Sequence, residues 1–307
     1  MCINAFSIFL MSNNFHFDNI IEELTFYKNL TEITADCIIK YGALTDRAEH
    51  IRLCGTLIEV GSVADAHGNI SEKIASANFC RERLCPMCQR RKSLKTYADI
   101  KRLVEYLPAR GWVHIVLTVR NCKASELSDT ITSLYRNSSR LITKEASFKR
   151  AFKGALRCLE VTHNSIDDTF HPHLHILLSA TKSYCTNKRL YISKKQLREL
   201  WRDAAQLDYL PQVHIDNKAD EGAIAEIAKY CVKPLTLDLP PEKRAEVLEV
   251  LHGALHGRRL LQSYGEFKSA FRDLRIDLDS DCDHEIITDT EQMFVYNFEL
   301  SQYDKYS

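Results

Sequence analysis

The sequence predicts an α+β fold: a central, mainly antiparallel sheet with flanking helices, preceded by a small zinc-binding module. Three observations carry this expectation. The run after Pro172 (Leu174, Ile176, Leu177, Leu178), broken only by His173 and His175, reads as a buried strand, and a second run at 155–162 (Leu156, Leu159, Val161) stands one loop before it. Strands that close in sequence pair most simply as an antiparallel hairpin. Residues 112–119 read as a further central strand, whereas 125–141 (Leu127, Ile131, Leu134, Leu141) and 193–207 (Leu197, Leu200, Trp201, Ala204, Ala205, capped by Ser193) follow a helical period.

A chain of 307 residues is long enough for one large core or two ordinary ones. No run approaches the roughly 18 apolar residues of a membrane helix. The apolar patch at 1–11 lacks a basic flank and a small-residue cleavage site, so neither a membrane nor a secretory destination is expected. The expected location is cytoplasmic, where the clustered members of the eleven cysteines mean metal or catalysis more often than disulfides.

Lys plus Arg and Asp plus Glu balance at 41 each. Their placement does not balance. Arg81, Arg83, Arg90, Arg91, Lys92, Lys95, Lys101 and Arg102 face only Glu82 and Asp99 in the segment 81–102, and 182–202 is also basic. The compensating acid gathers from Asp277 to Glu291. A basic body with an acidic tail suits a polyanionic partner, because local fields steer and bind whatever the net charge.

In chain order, 1–50 offers short amphipathic helical patterns around Ile20, Ile21 and Leu24 and around Tyr27, Leu30 and Ile33, with no chemistry assigned. Residues 51–60 read as a strand, followed by turn material at Gly61 and at His67, Gly68 and Asn69. Next come Cys80, Cys85 and Cys88. The Cys85-x-x-Cys88 knuckle brings two thiolates to one ion, and a closed structural zinc site takes four ligands. Cys54, beside Gly55, is the expected fourth, with His67 in reserve; a redox dithiol is the rival reading. A basic helix follows over 89–107, stopped by Pro108, with Arg90, Arg91, Lys92 and Lys95 as candidate phosphate contacts.

Alternation along a strand sends His173 and His175 to the same face, with Cα atoms roughly 6.5 Å apart, so both imidazoles can close on one divalent cation. His171 has the same parity but precedes the strand-edge Pro172 and is expected at the rim. Glu160, on the preceding strand, is a candidate oxygen ligand. Two histidines and a carboxylate leave positions open for phosphate oxygen and water, and mixed nitrogen and oxygen ligands suit Mg²⁺, Mn²⁺ or another first-row ion.

The segment 221–233 reads as a helix whose buried stripe is Ile224, Ile227, Ala228 and Cys231. Glu226, Tyr230 and Lys233 lie along another face, and side chains four apart on a helix can act on one atom. A tyrosine hydroxyl, with a pKa of about 10, is a poor nucleophile at neutral pH. A cation that draws charge from a phosphodiester makes the phosphorus attackable.

These motifs together resemble the rolling-circle plasmid replication initiators of the HUH endonuclease superfamily. His173-Leu174-His175 matches the histidine-hydrophobic-histidine motif, residues 116–121 are similar to the family's first strand motif, and Glu226 to Tyr230 with Lys233 matches its tyrosine motif. Arg157, Leu159 to Thr162, the cysteine knuckle and Gly257 to Leu260 also resemble family positions, so the likeness runs from about 54 to 268.

The resemblance implies a palm-like sheet over 109–268 as the endonuclease domain, a zinc-binding module with its basic helix at 51–108, a helical segment at 1–50 and an acidic tail at 269–307. It implies that Tyr230 attacks one strand of single-stranded or hairpin origin DNA, leaving a 5′-phosphotyrosyl link and a 3′-hydroxyl primer. Glu226, where two-tyrosine relatives carry another tyrosine, is then the general base of a terminating cleavage, and Lys229 or Lys233, the latter preferred because it shares the Tyr230 face, steadies the phosphate. A host helicase and polymerase are the implied partners. The alternatives are a transposase or relaxase of the same superfamily, although relaxases carry their tyrosine before the histidines, and a non-enzymatic zinc-dependent DNA-binding regulator.

Overall fold

The computed structural model describes residues 19–42, 44–64, 70–108, 111–219, 239–276 and 292–306. In chain order the elements used below are α1 (Ile20–Tyr41), α2 (Thr45–Leu53), β1 (Leu57–Ala64), β2 (Ile70–Ala77), α3 (Pro86–Tyr106), β3 (Trp112–Thr118), α4 (Leu127–Lys144), α5 (Ala146–Ala151), β4 (Phe152–Asn164), β5 (Thr169–Ala180), α6 (Lys194–Ala205), β6 (Val213–Asp216), α7 (Pro241–Leu255), β7 (Leu261–Gly265), α8 (Glu266–Asp273), β8 (Gln292–Asn297) and β9 (Gln302–Lys305). They fall into two compact units. The first comprises Met1–Arg91, Pro234–His252 and Asp281–Ser307, the second Lys92–Lys233 and Gly253–Ser280.

The first unit is built on a four-stranded antiparallel sheet of order β2-β1-β8-β9. The two short helical patterns expected near the start are one helix, α1. Asn19 caps it by accepting from the Glu22 amide at 2.9 Å, and no proline or glycine interrupts it before Gly42. The strand expected over 51–60 begins only at Leu57. Ile51 lies in the last turn of α2 and is buried with Ala48, and Gly55 turns the chain at φ 65°. A short apolar run of this kind does not by itself separate a helix end from a strand start.

The end of the segment expected as an acidic tail also differs, since β8 pairs with β1 and β9 with β8. Tyr296 and Tyr303 are buried in the same core as Ile51, Cys54, Ile58 and Met87, with their rings 5.3 Å apart. Aromatic burial draws this hairpin into the sheet, which the acidic composition just before it conceals.

The second unit holds the histidine strand in a five-stranded antiparallel sheet of order β6-β3-β5-β4-β7. The chain is therefore α+β with antiparallel sheets and flanking helices. β5 is central, with β3 on one side and β4 on the other, and the rungs along one face run Leu156 with Leu177, Cys158 with His175, and Glu160 with His173. On this face Leu156, Cys158 and Leu177 form a core with Ile100, Leu103 and Leu107 of α3 and with Phe267, Ala270 and Phe271 of α8. The face that carries the histidines thus changes from apolar core to polar site within two rungs. On the other face, Arg157 reaches the Tyr135 carbonyl and the Ser138 hydroxyl of α4, and Trp201 of α6 donates to the Thr118 carbonyl at 2.8 Å.

Candidate functional site

The site begins with hairpin register. β4 and β5 place Glu160 opposite His173, and the next rung on the same face carries His175. The Nε2 atoms of His173 and His175 each lie 3.0 Å from Glu160 Oε2, and all three side chains are buried. Two ring nitrogens and a carboxylate oxygen therefore converge on one small volume, and the three residues form one of the two groups able to hold a metal among the described residues.

The proton inventory leaves a place for a proton or a cation there. His173 Nδ1 is 3.1 Å from the His171 carbonyl oxygen, which can only accept, so Nδ1 carries a hydrogen. A neutral His173 ring then turns the lone pair of Nε2 toward a carboxylate oxygen, which is repulsive unless a proton or a metal ion lies between them. Octahedral bonds of about 2.1 Å would put adjacent ligand atoms about 3.0 Å apart, and that is the separation seen for both imidazoles. His171 packs its ring 5.0 Å from that of His173 and lies outside the three-residue group. Burial, with the neighbouring His173, pushes its pKa below the ordinary histidine value.

The second group able to hold a metal is Cys54, Cys80, Cys85 and Cys88. Cys54 follows α2 in the turn that Gly55 permits, and Cys88 sits in the first turn of α3. The Cys88 sulfur is 3.5 Å from that of Cys54 and 3.7 Å from that of Cys80. Tetrahedral zinc with Zn–S bonds of about 2.3 Å would set its sulfurs about 3.8 Å apart. Backbone amides of Cys80, Arg81 and Glu82 point at the sulfurs of Cys54, Cys88 and Cys80 respectively, between 3.2 and 3.4 Å, a pattern that favours thiolates. Burial works against a thiolate on Cys85, but hydrogen bonds from Cys54, Cys80 and Cys88 outweigh it and hold the thiol well below its ordinary pKa. The same bonds, with Cys80 first, push Cys54 up. Four sulfurs that compete for protons in one buried cluster suit a shared cation better than a two-cysteine redox pair.

Comparison with known proteins decides the family. A family model described as a replication protein matches residues 71–306. The chain belongs to the replication-protein family. This agrees with the motif resemblance to rolling-circle plasmid initiators. Among its relatives are a "Protein rep" of Streptococcus pneumoniae serotype 2 (strain D39 / NCTC 7466), 31% identical over 79% of this chain and 76% of its own length, and a "Protein rep" of Lactiplantibacillus plantarum, 30% identical over 75% and 76%. A "Protein rep" of Staphylococcus aureus is 33% identical over 53% of this chain and 72% of its own length. No solved structure matches.

Within this family member, Glu160, His173 and His175 meet, as do the four cysteines. Tyr230, Glu226 and Lys233, and the reserve ligand His67, lie outside the described residues. Of the candidate phosphate contacts, Arg90 pairs with Glu23 and lies 5.7 Å over the Tyr27 ring, and Arg91 stacks 4.6 Å over Phe79. Lys95 pairs with Asp99 at 2.7 Å, and Lys92 is exposed. Among the described residues no helix is long and apolar enough to cross a membrane.

Sequence reasoning missed one residue of the site. His114, on β3, puts its Nε2 3.3 Å from His175 Nδ1. The available signal was a lone polar residue inside the otherwise apolar run Trp112 to Leu117, which marks an inward-facing group without naming its partner.

Proposed function

We propose that the chain initiates rolling-circle replication of a plasmid by nicking one strand of single-stranded or hairpin origin DNA, and rejoins or releases that strand at termination. The reading is supported above all by the convergence of Glu160, His173 and His175 on adjacent antiparallel strands in a member of the replication-protein family. Those three residues would hold Mg²⁺ or Mn²⁺. Such an ion, when bound, draws charge from the scissile phosphodiester and stabilises the charge that develops in transfer.

The protein's own part is nucleophile, base and alignment. The Tyr230 oxygen bonds to phosphorus as the bond to the 3′ oxygen breaks, which yields a 5′-phosphotyrosyl link and a 3′-hydroxyl that primes synthesis. Because the bond energy is kept in that link, rejoining needs no nucleotide. Lys233 steadies the phosphate. Glu226 takes the proton from water in the terminating cleavage, so that the chain is released rather than recycled. Cys54, Cys80, Cys85 and Cys88 would hold a structural Zn²⁺ at the start of α3, the helix on which Arg90, Arg91, Lys92 and Lys95 contact backbone phosphates. Of these four, the exposed Lys92 is the most direct. A host helicase then unwinds the duplex and a host polymerase extends the primer.

The test is to incubate the chain with Mn²⁺ and labelled single-stranded origin DNA and to look for a covalent adduct. Tyr230→Phe should abolish the adduct, and Glu226→Gln should keep it while slowing hydrolytic release. A shifted DNA band with no adduct would instead mark a DNA-binding regulator.

A further inference from the structure

We propose that His114 is a positioning residue of the carboxylate and histidine centre: its Nε2 accepts the hydrogen on His175 Nδ1 and so turns His175 Nε2 toward Glu160 and a divalent cation. The inference rests on the metal-assisted reading above and adds a residue to it. The geometry is that of a hydrogen bond and not of ring stacking. The two nitrogens are 3.3 Å apart, the ring planes differ by 15°, and the ring centres are 5.5 Å apart. A centroid distance that equals the nitrogen separation plus one ring radius at each end places the imidazoles edge to edge in nearly one plane, as a linear N–H···N bond requires.

The strand register explains how the rings meet. Val116 is the partner of His175 and His114 is the partner of Leu177, so His114 and His175 are diagonal neighbours on the same face, within reach of long side chains. Both are buried, at 4% and 5% exposure. The angle of the His175 ring is therefore set by the protein and not by solvent.

The chemistry follows from the two ends of His175. A histidine that ligates a metal through Nε2 must carry its proton on Nδ1, and that N–H needs an acceptor. His173 has one in the His171 carbonyl. For His175 the acceptor is an imidazole, which orients the ligand without adding charge. Glu160 then remains the one anionic ligand of the three, and a divalent ion keeps a net positive charge toward a phosphate. A carboxylate in the place of His114 would cancel much of that charge.

The experiment titrates Mn²⁺ into the full chain by calorimetry, comparing wild type, His114→Phe, His114→Gln and His173→Ala. Phenylalanine keeps the ring shape but cannot accept, and it should weaken Mn²⁺ binding by about 10- to 100-fold. Glutamine, whose carbonyl accepts, should stay much closer to wild type. Nicking by His114→Phe should recover at saturating Mn²⁺, so that the metal requirement shifts and the maximal rate does not.

If His173→Ala loses Mn²⁺ and His114→Phe does not, the role of His114 is overturned while the metal reading stands. If His173→Ala binds as tightly as wild type, the metal reading itself fails. Equal weakening by phenylalanine and glutamine would reduce His114 to a packing residue. Long-range ¹H–¹⁵N spectra of the wild-type chain with Mg²⁺ give a measurement free of any variant: a proton on Nδ1 of His175 is expected, and a proton on Nε2 overturns the assignment.

Discussion

Replacing Glu160 by glutamine removes a charge and keeps the volume, which separates the metal role of this side chain from its structural one. Glu160 is 3% exposed, and one of its oxygens stands 3.0 Å from Nε2 of both His173 and His175. Without metal, the glutamine amide can donate to one of those Nε2 lone pairs, which the carboxylate can only repel, at about 1 kcal/mol for a typical hydrogen bond. It also relieves the desolvation of a buried carboxylate, so the metal-free variant should be at least as stable as the wild type. With metal the balance reverses. Removing one partner of a buried charge pair costs about 3–5 kcal/mol, which at about 1.4 kcal/mol per decade is a loss of at least about 100-fold in affinity. At Mn²⁺ near 100 times the wild-type Kd, the wild type gains about 2.7 kcal/mol of stability from binding, while the variant, then near its own Kd, gains only about 0.4 kcal/mol. Urea unfolding with and without Mn²⁺ reads both quantities. Should the variant keep nearly the full Mn²⁺-dependent gain, Glu160 does not ligate the ion and the proposed centre is wrong.

Two further outcomes are expected. Elemental analysis should find about one zinc per chain, and Cys88→Ser, which removes the sulfur 3.5 Å from Cys54 and 3.7 Å from Cys80, should lose most of it and melt at a lower temperature; a variant with unchanged zinc content would point to a dithiol or to unliganded cysteines. Gly265→Ala should destabilise the second unit by more than the roughly 1 kcal/mol of a positive-φ penalty alone. The glycine stands at φ 59°, and a Cβ there would meet the Lys153 carbonyl oxygen at 2.2 Å, a backbone atom that cannot turn aside. Urea unfolding within about 0.5 kcal/mol of wild type would show that the corner between β7 and α8 relaxes more easily than its geometry implies.

Much of the second unit was legible because its signals are local. Alternation set His173 and His175 on one face, helical periods marked α4 and α6, and the short loop after β4 implied the hairpin. Elsewhere the signals compete. At 51–60 a helix end and a strand start share one apolar run, and at 292–305 two short strands follow acidic composition. Chain-distant segments also join one compact unit, since strand pairing and aromatic burial are indifferent to distance along the chain.

The sequence by itself determined the chemistry of the ligands: which side chains can bind a cation, which pairs share a strand face, and which family the ordered motifs resemble. The tertiary structure decided what meets what. It brought Cys54 to Cys88, set Glu160 across from His173, and laid His114 beside His175. Side-chain period is a property of each strand alone, whereas register and the packing of distant segments depend on the burial of the whole sheet, which no single stretch encodes.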